Sequence, residues 1–573
     1  MEPIIPQQSA NPDNVPVVVN QASSLFAEEY ITISKAERIE LSCKANYWES
    51  QHARAVERET ALKGRVAELE AEVRDLKQRL YGKKSEKGGT TKNEGNGRGT
   101  STRPRGQQPG STGHGRTKRP HLPVTEEERD VEPEYKHCPT CGKPSLPFGS
   151  EDSDILEIQV RPFIRRVKRK RYLKGCRCPG TPAIITAPPA PRVIPKSDIG
   201  VSVWVMVLLD KYLYSRATHR LGEDLKYHGL PIAQGTLTGG LKRIADLVEP
   251  LVAAMYDKQM SECLFNGDET GWKVFEAIEG KVGYRWYLWV VRSASVVYYR
   301  MDPGRGAQVP KDHFANLDEL IEEAILVCDR YTAYKKLAND LALIILAFCW
   351  AHVRRDFLDA ARSWPELDAW ALDWVERIGE LYHINNQRIE VWDEIKPLDQ
   401  QSPVFLQLHA ALREQLERMQ AHYQQELKEP KLHTIKKKVL TSLENHWPGL
   451  TVFVDHPAVP MDNNKAERSV RGPVTGRKNY YGSGCVWSAK LAAMMFTAFQ
   501  TVLLWGRGPK HWLHLFLQAC ADNGGKTPED LSPFLPWTMS EQRRQQLSQP
   551  LPVDESAIIR QPDTTEPECI DSS

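Results

Sequence analysis

Three carboxylates stand out by what surrounds them. Asp268 closes the run Cys263-Leu-Phe-Asn-Gly-Asp268-Glu-Thr, and Asp329 closes Ile325-Leu-Val-Cys-Asp329. Short apolar runs of this kind read as buried strands, so each aspartate is expected at a strand end. Glu467 lies in the stretch Met461 to Gly484, with Asn463, Asn464 and the basic residues Lys465, Arg468, Arg471, Arg477 and Lys478. Asp462, Asn463 or Asn464 suits a helix N-cap, which puts Glu467 in or near the first turn and Arg471 on the same face. Gly472-Pro473 is expected to end or kink that helix. Alone, the stretch reads equally well as a solvated helix with an i,i+4 ion pair. The two aspartates change the balance. Adjacent strands lie about 4.8 Å apart, so two strand-end aspartates can share one site. Three close carboxylates repel one another unless a cation neutralises them, and hard oxygen donors select Mg²⁺ or Mn²⁺. Two such ions about 3.5–4 Å apart clamp both oxygens of an in-line phosphoryl displacement. Lysines and arginines around the acids suit a polyanionic substrate.

A second chemistry lies upstream. Cys138-Pro-Thr-Cys141-Gly and Cys176-Arg-Cys178-Pro are two tight cysteine pairs at zinc-ribbon separation. Four thiolates leave no open position for water, so the expected Zn²⁺ is structural and a zinc hydrolase is disfavoured. The second pair has one spacer rather than two, and His137 is a weaker substitute ligand. Leu156 to Val160 alternates as a strand should, and six of the seven residues from Arg165 to Arg171 are basic.

The elements that must position these groups follow in order. Residues 1–33 are rich in Pro, Gln, Asn and Ser and are expected to be disordered. Residues 34–82 are helical, with Leu62, Val66, Leu69, Val73, Leu76 and Leu80 in a coiled-coil seam. Residues 83–122 form a basic flexible linker; its first 38 residues carry ten Lys/Arg against two Glu. Such a segment binds polyanions and cannot build a core. Residues 123–185 hold the zinc module. Residues 186–258 form a helical DNA-binding or linker region, in which Ser215–Leu225 and Gln234–Ala245 read as helix-turn-helix or as an ordinary hairpin. Strands are expected at Tyr284–Val291, Ser295–Met301, Ile325–Cys328, Leu341–Phe348 and Thr451–Val454, and a helix at Leu317–Ala324. Residues 259–361 and 446–484 thus make a mixed α/β core, interrupted by a helical insertion at 362–445. A C-terminal helical segment, 485–541, precedes a disordered tail, 542–573.

Taken together, Gly-Asp268-Glu-Thr, Cys-Asp329-Arg-Tyr-Thr-Ala-Tyr334, Cys349-Trp-Ala-His-Val-Arg-Arg-Asp-Phe357, Asn464-Lys-Ala-Glu467-Arg-Ser-Val-Arg471 and Gly476-Arg-Lys-Asn479 resemble the large transposase of the insertion sequence 66 family. The resemblance extends over most of the chain. It implies a ribonuclease-H-like core with a catalytic, metal-holding triad that maps to Asp268, Asp329 and Glu467. It implies cleavage at the terminal inverted repeats of a mobile element and transfer of the exposed 3′-hydroxyl to target DNA. Glu269 is the competing residue at the first position. Arg354, Arg355, Lys465, Arg468, Arg471, Arg477 and Lys478 are the candidate DNA contacts. The partners implied are double-stranded DNA, further copies of the chain in at least a dimer, and small accessory proteins of the same element. A non-catalytic DNA-binding regulator derived from such a transposase is the alternative, against which the intact triad argues.

Composition narrows the rest. The apolar runs are short of the about 20 residues a membrane-spanning helix requires, and no signal-peptide pattern opens the chain. Eleven cysteines in a long chain suit a reducing compartment, so the cytoplasm is expected, and the family resemblance implies a bacterial one, on the nucleoid. Tyr480 and Tyr481 lack the basic and histidine neighbours a tyrosine recombinase needs. His352 beside Cys349 reads better as a strand end entering a helix than as a second metal site. The cysteine spacing yields a test: metal analysis should find stoichiometric zinc in the purified chain, and Cys141→Ser should lose it and weaken DNA binding. A zinc-free wild-type protein would remove the cluster from consideration.

Overall fold

The computed structural model describes residues 34–81, 130, 132–146, 156, 158, 160–173, 175, 182 and 184–549. The segments 1–33 and 83–122, with Cys176 and Cys178, lie outside the described residues. The chain divides into two units, the first holding the long helix α1 (Lys35–Tyr81) and the second nearly all remaining elements. Along α1 the seam residues Leu62, Val66, Leu69 and Val73 are exposed, while the side chains of Leu76 and Leu80 are not among those described.

In the second unit, the first cysteine pair sits on a tight turn. Gly142 N donates to Cys138 O and Cys138 N to Lys143 O, both at 2.9 Å, with Gly142 at φ +71°. Strands β1 (Arg171–Leu173) and β2 (Ile184–Thr186) pair antiparallel nearby in sequence. The strand expected at 156–160 is not seen at its described positions 156, 158 and 160, where the apolar side chains of Leu156, Ile158 and Val160 stay exposed.

The main sheet has the order β5-β4-β3-β6-β7, built from β3 (Leu264–Lys273), β4 (Arg285–Arg292), β5 (Val297–Asp302), β6 (Ala324–Cys328) and β7 (Ile344–Phe348). The β3-β4-β5 ladder is antiparallel and β3-β6-β7 is parallel. β6 reads Ala-Ile-Leu-Val-Cys and is buried at every position, as a central parallel strand covered on both faces must be.

One core joins the sheet to α2 (Val201–Leu208), α4 (Gln234–Met260), α12 (Val486–Leu504) and α13 (Pro509–Asp522). α3 (Thr218–Tyr227) and α4 form the expected helix-turn-helix pair, but α4 continues for 27 residues and buries Leu237, Leu241, Ile244, Val248 and Leu251 along its length. Among the described residues α12 is the one helix apolar and long enough to cross a membrane, and 61% of that stretch is buried inside the protein. It covers the edge strand β5: Thr501 Oγ1 and Thr497 Oγ1 accept from Val297 N and Tyr299 N at 3.1 and 2.9 Å. An open strand edge is thereby closed by side chains rather than by another strand.

The second core lies around β6 and β7, with α5 (Gln308–Phe314), α6 (Thr332–Asp340), α7 (Trp350–Ser363), α8 (Asp368–Glu390), α9 (Pro403–Leu427) and α10 (Thr434–Asp455). α10 corrects the expected strand at Thr451–Val454. That run is the last turn of a helix whose buried residues Leu440, Leu443, Trp447, Leu450, Phe453 and Val454 follow helical spacing. A four-residue apolar run does not by itself distinguish strand from helix. The boundary placed at 445/446 therefore falls inside α10. Arg388, buried on α8, donates to Phe453 O and Val454 O at 2.7 and 2.9 Å and so caps the carbonyls at the end of α10.

Three further expectations change. Leu317–Ala324 is a set of turns, since its acids are mostly exposed and Leu320 is also fully outward; the helix lies just before it, in α5. α11 (Asn464–Tyr480) runs straight through Gly472-Pro473. Pro473 has no N–H for the carbonyl of Ser469, and Tyr299 Oη donates to that carbonyl instead, at 2.7 Å. Within the expected loose tail, α14 (Glu541–Ser548) buries Leu547.

The contact of α10 with β7 is close. A Cβ on Gly449 would lie 2.5 Å from the Phe348 ring and 2.9 Å from Leu346 O. Gly449→Val should therefore destabilise the protein by about 1–3 kcal/mol through overpacking. Chemical denaturation should show the loss; unchanged stability would mean that α10 can lift off the sheet freely.

Candidate active site

Asp268 is not at a strand end, because β3 continues to Lys273. The last parallel pair between β3 and β6 is Asn266↔Val327, and β6 stops at Cys328. Two residues further on in each chain stand Asp268 and Asp329. β3 thus loses its partner on one side where Asp268 sits, while β4 still pairs on the other through Asp268↔Val290. A strand that outruns its neighbour presents a side chain as a strand end does.

The third carboxylate is delivered by a buried amide. Asn463, 1% exposed, precedes α11 but does not cap it with its side chain. Its Nδ2 donates to Gly267 O at 2.7 Å, and its Oδ1 accepts from Asn266 Nδ2 at 3.1 Å. Its backbone N donates to Cys349 Sγ at 3.2 Å. The start of α11 is fastened in this way to β3 beside Asp268, and Glu467 follows one helical turn later, its N donating to Asn463 O.

Electrostatics show the convergence. Burial pushes the Asp268 carboxyl up to about 7, and Glu269, Asp329 and Glu467 each add to the rise. Among the described residues its one hydrogen bond is accepted from the Glu269 backbone N–H, at 2.8 Å. Asp329 Oδ1 accepts from Tyr331 N at 3.0 Å. Glu467 Oε1 is buried with no hydrogen-bond donor. It has no ion pair with Arg471 among the described residues; its near neighbour is His352 Nε2, at 3.6 Å. A cation is what such a set lacks: three carboxylates, one orphaned oxygen and a raised pKa fit a hard divalent metal.

Glu269 is engaged elsewhere. Successive strand residues face opposite ways. Its Oε1 accepts a fork from Arg305 at 3.1 and 2.7 Å, and its Oε2 accepts from Tyr334 Oη at 2.8 Å. Burial raises its pKa, and these donors oppose the rise.

The remaining candidates separate. Lys465, Arg468, Arg471 and Lys478 are exposed on α11, and Arg355 is exposed on α7 beside a half-buried Arg354. Arg477 is committed inward: its guanidinium donates to Gly271 O and to Thr270 Oγ1, tying α11 to β3. At the cysteine turn, the backbone N–H groups of Thr140 and Cys141 draw the Cys138 thiol below its usual range, as a metal-binding thiolate needs. Cys176 and Cys178 are outside the described residues, so the described chain holds half of that set.

Sequence reasoning missed Asn463 as a positioning residue; the Asn-Asn pair before the helix was the available signal. It also separated Cys349 and His352 from the acids. The donor atoms of Cys349, His352 and Glu467 lie within 4.8 Å of one another.

A family model described as Transposase IS66 family matches residues 196–491, just over half of the chain. The chain belongs to the IS66 transposase family. Asp268, Asp329 and Glu467 all fall in the matched segment. Relatives include two proteins of Sinorhizobium fredii (strain NBRC 101917 / NGR234), both described as uncharacterized. y4jD is 26% identical over 71% of this chain and 79% of its own length. y4hP is 27% identical over 72% and 75% respectively. A solved Mos1 transposase paired-end complex with left transposon end aligns over 43% of this chain and 76% of that one, at 13% identity and a TM-score of 0.11, too low to establish a shared fold.

The raised Asp268 pKa sets a sign for this transposase. The folded state holds a proton there that the unfolded chain releases near 3.8, so metal-free stability falls as pH rises from about 4 to about 7 and then levels. Asp268→Asn removes that cost. Metal-free Asp268→Asn should melt above wild type near pH 8 but not near pH 4, and Mg²⁺ should stabilise wild type more than the variant. Equal melting curves at both pH values would mean that the Asp268 pKa is not raised in the folded protein.

Proposed function

We propose that this transposase cleaves DNA at the ends of a mobile element and joins the freed 3′-hydroxyl to target DNA, with Asp268, Asp329 and Glu467 as its catalytic carboxylates. The observation that carries the reading is a buried Asp268 carboxyl within electrostatic reach of both Asp329 and Glu467. Carboxylates that are 61 and 138 positions apart in sequence come together where β3 outruns β6. The sheet order, with three antiparallel strands continued by two parallel ones, is the one expected of a ribonuclease-H-like core and supports the same reading.

The three residues would hold two Mg²⁺ or Mn²⁺ ions, which when bound supply charge neutralisation at the attacking and leaving oxygens of a phosphodiester. The protein's own part is placement. β3 and β6 hold the two aspartates at neighbouring positions, and the Asn463 staple sets Glu467 over them. Arg305 and Tyr334 keep Glu269 out of the cluster. Exposed cations on α11 and on the outward side of α4, such as Lys242 and Arg243, suit the DNA backbone. No covalent protein–DNA intermediate is required.

The supporting parts belong to the same proposal. The basic segment 83–122 contributes salt-sensitive DNA attraction. Cys138, Cys141, Cys176 and Cys178 hold a structural zinc. The exposed seam on α1 pairs with another copy of the chain, bringing two element ends together, and small proteins of the same element assist. The site of action is the bacterial cytoplasm.

The test is labelled element-end DNA incubated with protein and Mg²⁺. Wild type should give site-specific nicks and joined products. Asp268→Ala, Asp329→Ala and Glu467→Ala should each lower both by roughly a thousandfold or more, since residues acting as one unit fail together. Binding to the same DNA should persist, and Glu269→Gln should retain most activity. A Glu467→Ala protein that nicks at the wild-type rate would take that residue out of the site. Wild type that binds but never cuts would favour a DNA-binding regulator.

A further inference from the structure

Arg292, the last residue of β4, has no part in the motifs considered so far. It pairs directly across the ladder with Asn266. Cross-strand partners share a sheet face, and Asn266 faces α11 through its bond to Asn463. Asp268 lies two residues along on that same face, so Arg292 is its diagonal neighbour, at about 7–8 Å between backbones. On α11, Lys465 and Arg468 are three residues apart and flank Glu467, so they share a helix face.

These three cations sense one another. The Arg292 guanidinium is held below its usual range by burial and then by Arg468. Lys465 lies within electrostatic reach of both Arg292 and Arg468. Among the described residues, no hydrogen bond or ion pair joins the side chains of Arg292, Lys465 or Arg468 to any acceptor. Cations elsewhere in the core behave differently. Arg300 pairs with Asp302 and Asp312, Arg305 with Glu269, Arg330 with Asp356, and Lys311 with Asp340. A half-buried arginine that repels its neighbours and has no acceptor costs stability in the free protein. An anion with several oxygens would remove that cost, and phosphodiester oxygens match both guanidinium geometry and the adjacent carboxylate chemistry.

We propose that Arg292, Lys465 and Arg468 form a phosphate-binding cluster that grips the backbone of the DNA strand beside the scissile bond, with Arg292 as its anchor on the sheet. This deepens, and rests on, the phosphodiester reading of the carboxylate site. The carboxylates repel the strand they must cut, and the cluster offsets that repulsion next to them. Arg292 is a positioning residue: it holds the strand, while the chemistry stays with the acids.

The experiment measures binding of the full chain to a short labelled duplex of arbitrary sequence, without divalent metal, across a range of salt concentrations. Each phosphate contact contributes about 0.9 to the slope of log affinity against log salt. Arg292→Gln should weaken binding several-fold and flatten the slope by about 0.9, and Arg292→Lys should restore the slope. The double variant Lys465→Gln/Arg468→Gln, at exposed helix positions that tolerate change, should flatten it by about twice as much and decides the matter if Arg292→Gln does not fold. Lys428→Gln, a surface cation on the helical insertion, should leave the slope unchanged. An unchanged slope in the cluster variants, or an equal loss in Lys428→Gln, overturns the proposal. A parallel nicking assay of Asp268→Ala with Mg²⁺ separates the two readings. Flattened slopes with undiminished nicking would sink the carboxylate site and the cluster's place beside it. Unchanged slopes with abolished nicking would sink the cluster alone.

Discussion

The site depends on one buried amide. Asn463 spends its side chain on β3, at Gly267 O and Asn266 Nδ2, and its backbone N–H on Cys349 at the head of α7. An N-cap asparagine usually turns back on its own helix. Here the side chain reaches a neighbouring strand, which converts a helix start into a joint among three segments far apart in the chain. A buried amide left without partners costs about 1–3 kcal/mol, so the joint has one satisfied arrangement and few near alternatives. Glu467 inherits its position from that arrangement.

Such a joint has to resist the charges it assembles. Burial, with the neighbouring carboxylates adding to it, raises the Asp268 pKa, and Glu467 Oε1 is buried without a donor. Strain of this kind is stored only where the surroundings over-determine the geometry. They do so here: α11 is held at its start by Asn463, in its middle by Tyr299 on the Ser469 carbonyl, and near its end by Arg477 on β3. The second acid of the Asp-Glu pair meets the opposite fate. Glu269 faces away, paired with Arg305 and hydrogen-bonded by Tyr334, so two adjacent carboxylates have separate environments.

Around the joint, the two cores divide the labour. The first packs α4 and α12 on the sheet and closes the β5 edge with buried threonine hydroxyls. The second attaches the helices α7 to α10 to β6 and β7. Because α10 lies against β7 and leads toward α11, the long helical block between Asp329 and Glu467 ends beside the cluster, and the sequence distance between the acids does not become a distance in space.

Much of this was legible from residue types and spacing. The strands β4, β5 and β6, the helices α1, α12 and α13 and the basic character of α11 follow from apolar periodicity, run length and charge, which are local properties. What escaped was decided by contacts between distant residues. The run Thr451–Val454 is helical because its neighbours bury on a helical period against β7, and four apolar residues carry no period of their own. Pro473 sits inside α11 because Tyr299, from another strand, takes the carbonyl that the proline leaves free. Asp268 against Glu269 was undecidable locally, since both are carboxylates one residue apart. Strand alternation assigns them to opposite faces, but only the placement of α11, Arg305 and Tyr334 gives them different neighbours. Sequence by itself determined which groups are present and what chemistry they suit; tertiary structure decided which of them meet, because partner choice depends on packing and hydrogen-bond satisfaction across hundreds of residues.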